Sequence, residues 1–157
     1  MLSAEHHWDV AAQTDRVKWK DKDVTVNLAE PASDEDAKAA YARWVNDSYW
    51  LLAPLKLKDR GCKVVDLGVK KFDDTVRALL RLSFEKVGLT PGDQYLLYVD
   101  PKTELVTSWD YTSGAGETAH ATWTDYQESG GLKLATDHQM DGGVRIRILN
   151  LKVTSAK

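Results

Sequence analysis

Residues 31–52 read PASDEDAKAAYARWVNDSYWLL, and this stretch decides the fold because it interrupts an otherwise strand-like chain. Ser33 stands where an N-cap belongs, acidic residues fill the first turn, and alanines precede Trp44. Ala37, Tyr41, Trp44, Ser48 and Leu52 recur at helical spacing and form one face. Pro54 disfavours helical geometry at Ala53, so the helix is predicted to stop near Leu52. Trp44, Ser48 and Leu52 are expected to face a sheet. Tyr49, Trp50 and Leu51 then complete an apolar ring around the helix end, and a helix apolar on all sides is buried or meets a partner.

Working outward, period-2 alternation and turn residues dominate. Strands are predicted at 7–11, 16–20 and 24–28 before the helix. After it they fall at 62–69, 76–84, 94–99, 105–111, 118–127, 132–139 and 144–153. The later strands repeat about every ten residues with short turns, which is the pattern of an antiparallel meander. One helix of this length cannot cover so many strands laid flat. The expectation is therefore an α+β, mainly β fold: a curved antiparallel sheet, half-barrel in form, with one main helix packed on or lidding the concave face. Leu80, Leu82 and Phe84 share one face of their strand.

A chain of 157 residues fits a single domain spanning 1–157. Its 43% hydrophobic and 29% charged residues are ordinary for a globular protein. The net charge of −3 comes from 21 basic and 24 acidic side chains in mixed order. No basic stripe is visible, which argues against nucleic acid and against an anionic membrane surface. No apolar run is long enough to span a bilayer as a helix. The opening MLSAEHHWDV lacks the basic and apolar regions of a secretory signal and reads as a strand already in progress. The chain is accordingly expected to be an N-terminally truncated piece of a longer protein.

Catalytic patterns are weak. His6 and His7 are adjacent, so on a strand they point to opposite faces and cannot chelate one ion together. His120 and His138 have no Cys nearby and no carboxylate at helical spacing, so no metal site is expected. The loop around Ser113 lacks both the nucleophile elbow and a phosphate-binding glycine pattern, and reads as a hairpin loop. Asp110, Asp125 and Glu117 could pair if their strands adjoin, which is the whole basis for a hydrolase reading. Cys62 stands alone, rules out an intramolecular disulfide and is expected to act as a small hydrophobe. Six Trp and six Tyr against two Phe suit half-wet apolar walls.

Several stretches together carry a resemblance. They are His7-Trp8-Asp9, residues 46–57 (NDSYWLLAPLKL), Phe84, residues 87–93 (VGLTPGD), residues 98–103 (YVDPKT), Trp109, Trp123 and residues 130–134 (GGLKL). With these the chain resembles an uncharacterised bacterial family related to the outer-membrane lipoprotein carrier and lipoprotein-sorting (LolA-like) proteins. The resemblance implies an incomplete antiparallel barrel closed by helices, holding a lipid or lipoprotein acyl chain in its concavity. It also implies a periplasmic or outer-membrane-associated location, while the weak catalytic patterns lead to the expectation of a non-enzymatic protein with no cofactor. The hydrophobic ligand-binding residues expected on this basis are Trp44, Tyr49, Trp50, Leu51, Leu52, Leu80, Leu82, Trp109 and Trp123. The alternative reading is a structural or interaction protein whose core is filled by its own side chains. Oligomeric state is not legible.

Overall fold

In a computed structural model the described residues are 3–30, 34–72, 74–85 and 89–154. The fold is mainly β, with antiparallel sheets and one long helix, as expected. Two compact units divide the chain, one running up to Trp50 and the other from Leu51 to Thr154.

The first unit opens with a three-stranded meander, β1 (Glu5–Asp9), β2 (Thr14–Trp19) and β3 (Lys22–Asn27). Alternation turns Asp15, Val17 and Trp19 inward from β2, and register sets His6 and Val24 on either side of Val17. The helix α1 (Glu35–Leu52) supplies Ala37 and Ala40 to the same core, against Val17, Trp19 and Val26. Small residues there let the helix backbone lie close to the sheet, and Arg43 stacks over Trp19 at 5.2 Å. Trp44 packs edge-on against Trp8 with centroids 5.7 Å apart. Ser33 lies outside the described residues; the capping carboxylate is that of Asp34, which accepts from the Ala37 N–H at 2.8 Å. The helix stops at Leu52, and Pro54 is accommodated in a 3-10 turn over Ala53–Leu55.

This unit also holds a charged cluster. His6 Nδ1 lies 2.6 Å from Asp15 Oδ2 and His6 Nε2 lies 3.0 Å from Asp47 Oδ2. Both neighbours are carboxylates, so both ring nitrogens act as donors and the imidazole is held as the cation. Burial by itself would lower its pKa, but the bonds to Asp15 and Asp47 outweigh burial and raise it to about 9. Asp15 is fully buried, and its Oδ1 has no hydrogen-bond partner among the described residues.

The second unit carries a five-stranded antiparallel sheet in the order β4 (Cys62–Phe72), β5 (Thr75–Phe84), β6 (Gln94–Val99), β7 (Val106–Thr112), β8 (Thr118–Thr122). A three-stranded sheet follows, with β10 (Leu132–Gln139) between β9 (Thr124–Ser129) and β11 (Arg145–Arg147). An isolated antiparallel bridge, Ala121 to Met140, links the two sheets. Irregularities at Asp66/Val69 and Tyr98/Val99 shift the register, and such bulges bend a strand and increase its twist.

Two strand boundaries differ from expectation. The predicted strand over 118–127 is broken at Trp123, whose N–H reaches back to the Thr107 carbonyl at 2.8 Å, and Asp125 then takes a φ of 52°. The predicted strand over 144–153 pairs only through Arg145–Arg147. Beyond it Asn150 adopts a φ of 55° and the Val153 N–H is taken by the Ser129 hydroxyl at 3.0 Å.

Register places Leu80, Leu97, Trp109 and Ala121 in one row across the sheet, with Leu82, Tyr95, Tyr111 and Ala119 in the next row of the same face. Aromatic rings run on from there. Tyr95 lies 4.7 Å from Trp109, Trp109 5.0 Å from Trp123, and Trp123 4.6 Å from His138. Leu82, Leu97, Trp109, Trp123, Leu134 and Ala135 are all buried. The loop before β6 is fastened by buried Asp93, which accepts from the Tyr111 hydroxyl at 2.8 Å and from the Gly114 N–H at 3.1 Å. Burial and that carboxylate raise the Tyr111 pKa to about 12. Here Gly92 and Gly114 meet backbone to backbone, since a Cβ on Gly92 would sit 3.1 Å from the Gly114 Cα.

Candidate functional site

Among the described residues of the second unit, two pockets stand out. The smaller, about 180 Å³, is lined mainly by apolar side chains. Leu51, Pro54 and Leu55 approach from the helix end, Leu105 and Val106 from the start of β7, and Trp123, Leu134 and Ala135 from the following strands. Pro54 makes this wall possible. It ends the helix and turns the chain through a 3-10 segment, so that Leu51 and Leu55 face one space. The Tyr126 hydroxyl is spent on the Val106 carbonyl at 2.7 Å, and burial raises its pKa to about 12. Lys133 and Glu104 also line it and stand exposed.

The residues expected to bind a hydrophobic ligand distribute unevenly. Leu51 and Trp123 line the apolar pocket. Trp109 backs it through its ring contact with Trp123, but is itself only 3% exposed. Leu82 is fully buried, and Leu80 is half-buried on the same sheet face. Leu52 is half-buried at the last position of the helix. Trp44 packs with Trp8 and Tyr41 in the first unit, and Tyr49 and Trp50 are half-buried residues of that unit. Sequence reading missed Leu55, Leu105, Val106, Leu134 and Ala135. Leu55 and Leu134 stood in quoted motifs, whereas the others come together only through sheet register.

The larger cavity is an open groove of about 490 Å³ on the other face of the five-stranded sheet. Two cross-strand rows line it: Gln94, Thr112 and Thr118, then Arg81, Leu96, Asp110 and His120. His120 is therefore not isolated. Its Nδ1 lies 2.6 Å from Asp110 Oδ1, while the Tyr98 hydroxyl donates to Asp110 Oδ2 at 2.6 Å. Burial and this carboxylate raise the Tyr98 pKa to about 12, so the phenol stays protonated. Asp125 engages Thr136 instead, accepting from its hydroxyl at 3.0 Å, and makes no pair with Asp110. Burial raises the Cys62 thiol pKa, with Asp59 adding to the effect, which disfavours the thiolate. Among the described residues no group of three or more His, Cys, Asp or Glu is placed to hold a metal ion. None of their helices is long and apolar enough to cross a membrane.

No family model matches the chain, and no curated protein is significantly similar to it. Among solved structures, it is similar to the crystal structure of a DUF1329 family protein from Desulfovibrio piger, with a TM-score of 0.48 and 12% sequence identity. The alignment covers 82% of this chain and 51% of that one, so the chain spans about half the length of that protein.

Proposed function

We propose that the protein binds a hydrocarbon chain, the acyl tail of a lipid or of a lipidated polypeptide, and does so without catalysing a reaction. The observation that carries this reading is the apolar pocket of about 180 Å³ walled by Leu51, Leu55, Leu105, Val106, Trp123 and Leu134. An apolar cavity of about 150 Å³ stays dry and holds a benzene, so this space admits the end of one chain. Each methylene transferred contributes ~0.8 kcal/mol, and about five of them contribute ~4 kcal/mol, a millimolar grip. Such a grip suits a protein that passes its cargo on. The exposed Lys133 ammonium meets the polar end of a fatty acid. The resemblance to the lipoprotein carriers points the same way and to a periplasmic or outer-membrane-associated location.

A second reading rests on a different observation. Trp109, Trp123, Leu82 and Leu97 are buried against one another, as in a core filled by the protein itself. On that reading the protein is an interaction module and the pocket is a packing remnant. Titration with a fluorescent medium-chain fatty acid separates the two. Acyl binding predicts a saturable signal that Leu105→Trp, which fills the pocket, abolishes. No signal, or one that Leu105→Trp leaves unchanged, favours the self-filled core.

A further inference from the structure

The segment that carries the chain from the apolar pocket into β4 has a charge of its own. Residues 55–63 read LKLKDRGCK, so Lys56, Lys58, Arg60 and Lys63 stand against one acid, Asp59. Four cations less one carboxylate leave +3 here, in a chain whose net charge is −3. The mixed order of charges that holds along the chain fails in this segment. Asp59 is taken by Lys56, whose ammonium lies 3.0 Å from its carboxylate. Lys58, Arg60 and Lys63 are exposed, and their side chains have neither a hydrogen bond nor an ion pair among the described residues.

Backbone bonds hold this segment in one compact shape. The Asp59 N–H donates to the Lys56 carbonyl at 3.0 Å, and the Cys62 N–H to the Asp59 carbonyl at 3.1 Å. Two linked turns, each closing within about 7 Å, keep residues 56–62 inside about 14 Å. The Gly61 carbonyl accepts from the Glu85 N–H at 2.8 Å, which fastens the second turn to the end of β5. At the other end the Lys56 N–H closes the 3-10 turn on the Ala53 carbonyl at 3.1 Å. Leu55, the last residue of that turn, lines the apolar pocket and is nevertheless 53% exposed, so it stands where the pocket meets solvent. Glu85 stands beside Gly61, and on the pocket wall Glu104 is matched by Lys133, so the local balance stays positive.

From this we propose that residues 55–63 dock the protein on an anionic lipid bilayer, with Leu55 entering the headgroup region and Lys58, Arg60 and Lys63 meeting lipid phosphates. Exposed cations on successive turns do not converge on one phosphate, but a sheet of headgroups takes each of them where it falls. The apolar residue beside them adds the second contribution on which interfacial binding depends. The segment holds no Trp, Tyr or Phe to stack on a base, which disfavours a single-stranded nucleic acid. Docking of this kind brings the pocket opening to the surface from which acyl chains come. It deepens the acyl-binding reading and rests on it only for what the docked pocket receives.

The test is flotation with vesicles of phosphatidylcholine, alone or with about one third phosphatidylglycerol. The protein is expected to float with the anionic vesicles only, and to leave them as salt rises from about 50 to about 300 mM. A cation near such a surface is worth about a fivefold change in partition, so Lys58→Gln/Arg60→Gln should lower it about 25-fold. Lys70→Gln/Lys71→Gln makes the same charge change toward the other end of β4 and should leave partition nearly unchanged. All four residues are exposed, and matched melting temperatures confirm that both variants fold. Anionic vesicles should also slow hydrogen exchange within residues 55–63. Leu105→Trp, which fills the pocket, should float like the wild type, so docking is read separately from acyl binding. Equal flotation with both vesicle types, or none at about 50 mM salt, overturns the proposal. Equal losses in the two double variants do the same, and so does loss of flotation in Leu105→Trp, which would make a captured chain the anchor. Protection of residues 55–63 by polyglutamate as strong as that by anionic vesicles would assign the surface to an acidic protein and overturn it too.

Discussion

Neutralising His6 should weaken the first unit, and the pH at which this happens follows from the cluster's geometry. His6 is held as a cation between Asp15 and Asp47, with a pKa raised from 6.5 to about 9. A raised folded-state pKa means that the folded protein binds the proton more tightly than the unfolded chain. The stabilisation is therefore complete below pH 6.5 and is lost as pH rises through about 9. At 1.36 kcal/mol per pH unit, the interval is worth about 3 kcal/mol. The His6 side chain is 23% exposed and Asp15 is fully buried, whereas Asp47 is 41% exposed, so about 3 kcal/mol is an upper value from which solvent screens part of the Asp47 contribution. In a chain of this length about 3 kcal/mol corresponds to a melting shift of about 6–12 °C. The assay is thermal unfolding followed by circular dichroism at pH 6, 8 and 10, for wild type and His6→Gln. The wild type should be clearly more stable at pH 6, and the gap should close by up to about 3 kcal/mol at pH 10. A gap that does not change with pH would mean that His6 is neutral in the folded protein, and the reasoning would fail.

Five other substitutions probe the frame. Trp123→Phe should cost no more than about 1 kcal/mol in urea unfolding, because its buried indole N–H has no partner among the described residues, whereas Trp109→Ala should cost about 3–5 kcal/mol. Gly130→Ala should lose more stability than Gly131→Ala. Both have positive φ, but only at Gly130 would a Cβ fall 2.6 Å from the Val153 side chain, against open space at Gly131. Asp34→Ala should cost about 1 kcal/mol and speed hydrogen exchange in the first turn of α1.

What the sequence made legible was whatever depends on local periodicity. The helix and its stop before Pro54 follow from spacing and from proline's steric demands, and most strands follow from alternation. The break at Trp123 was hidden, because the residues on either side keep strand character and only a long-range bond to Thr107 divides them. The Asp110–His120 pair could have been found. The two residues are equidistant from Ala115 in a hairpin, so they face each other once its centre is placed. No comparable signal existed for His6, whose partners lie 9 and 41 residues away and meet only when the helix folds onto the meander. The apolar pocket was half legible. Leu51 and Trp123 stood out as large apolar residues, but Leu105, Val106 and Ala135 become wall residues only through register.

The claim that the pocket takes an acyl chain is tested most directly by methyl NMR with octanoate, watching Leu51, Leu55, Leu105, Val106 and Leu134. The account predicts saturable shifts confined to these methyls, contacts from them to the octanoate chain, and loss of both in Leu105→Trp. Octanoate that leaves these methyls unmoved while shifting others, or that shifts nothing at millimolar concentration, would contradict it.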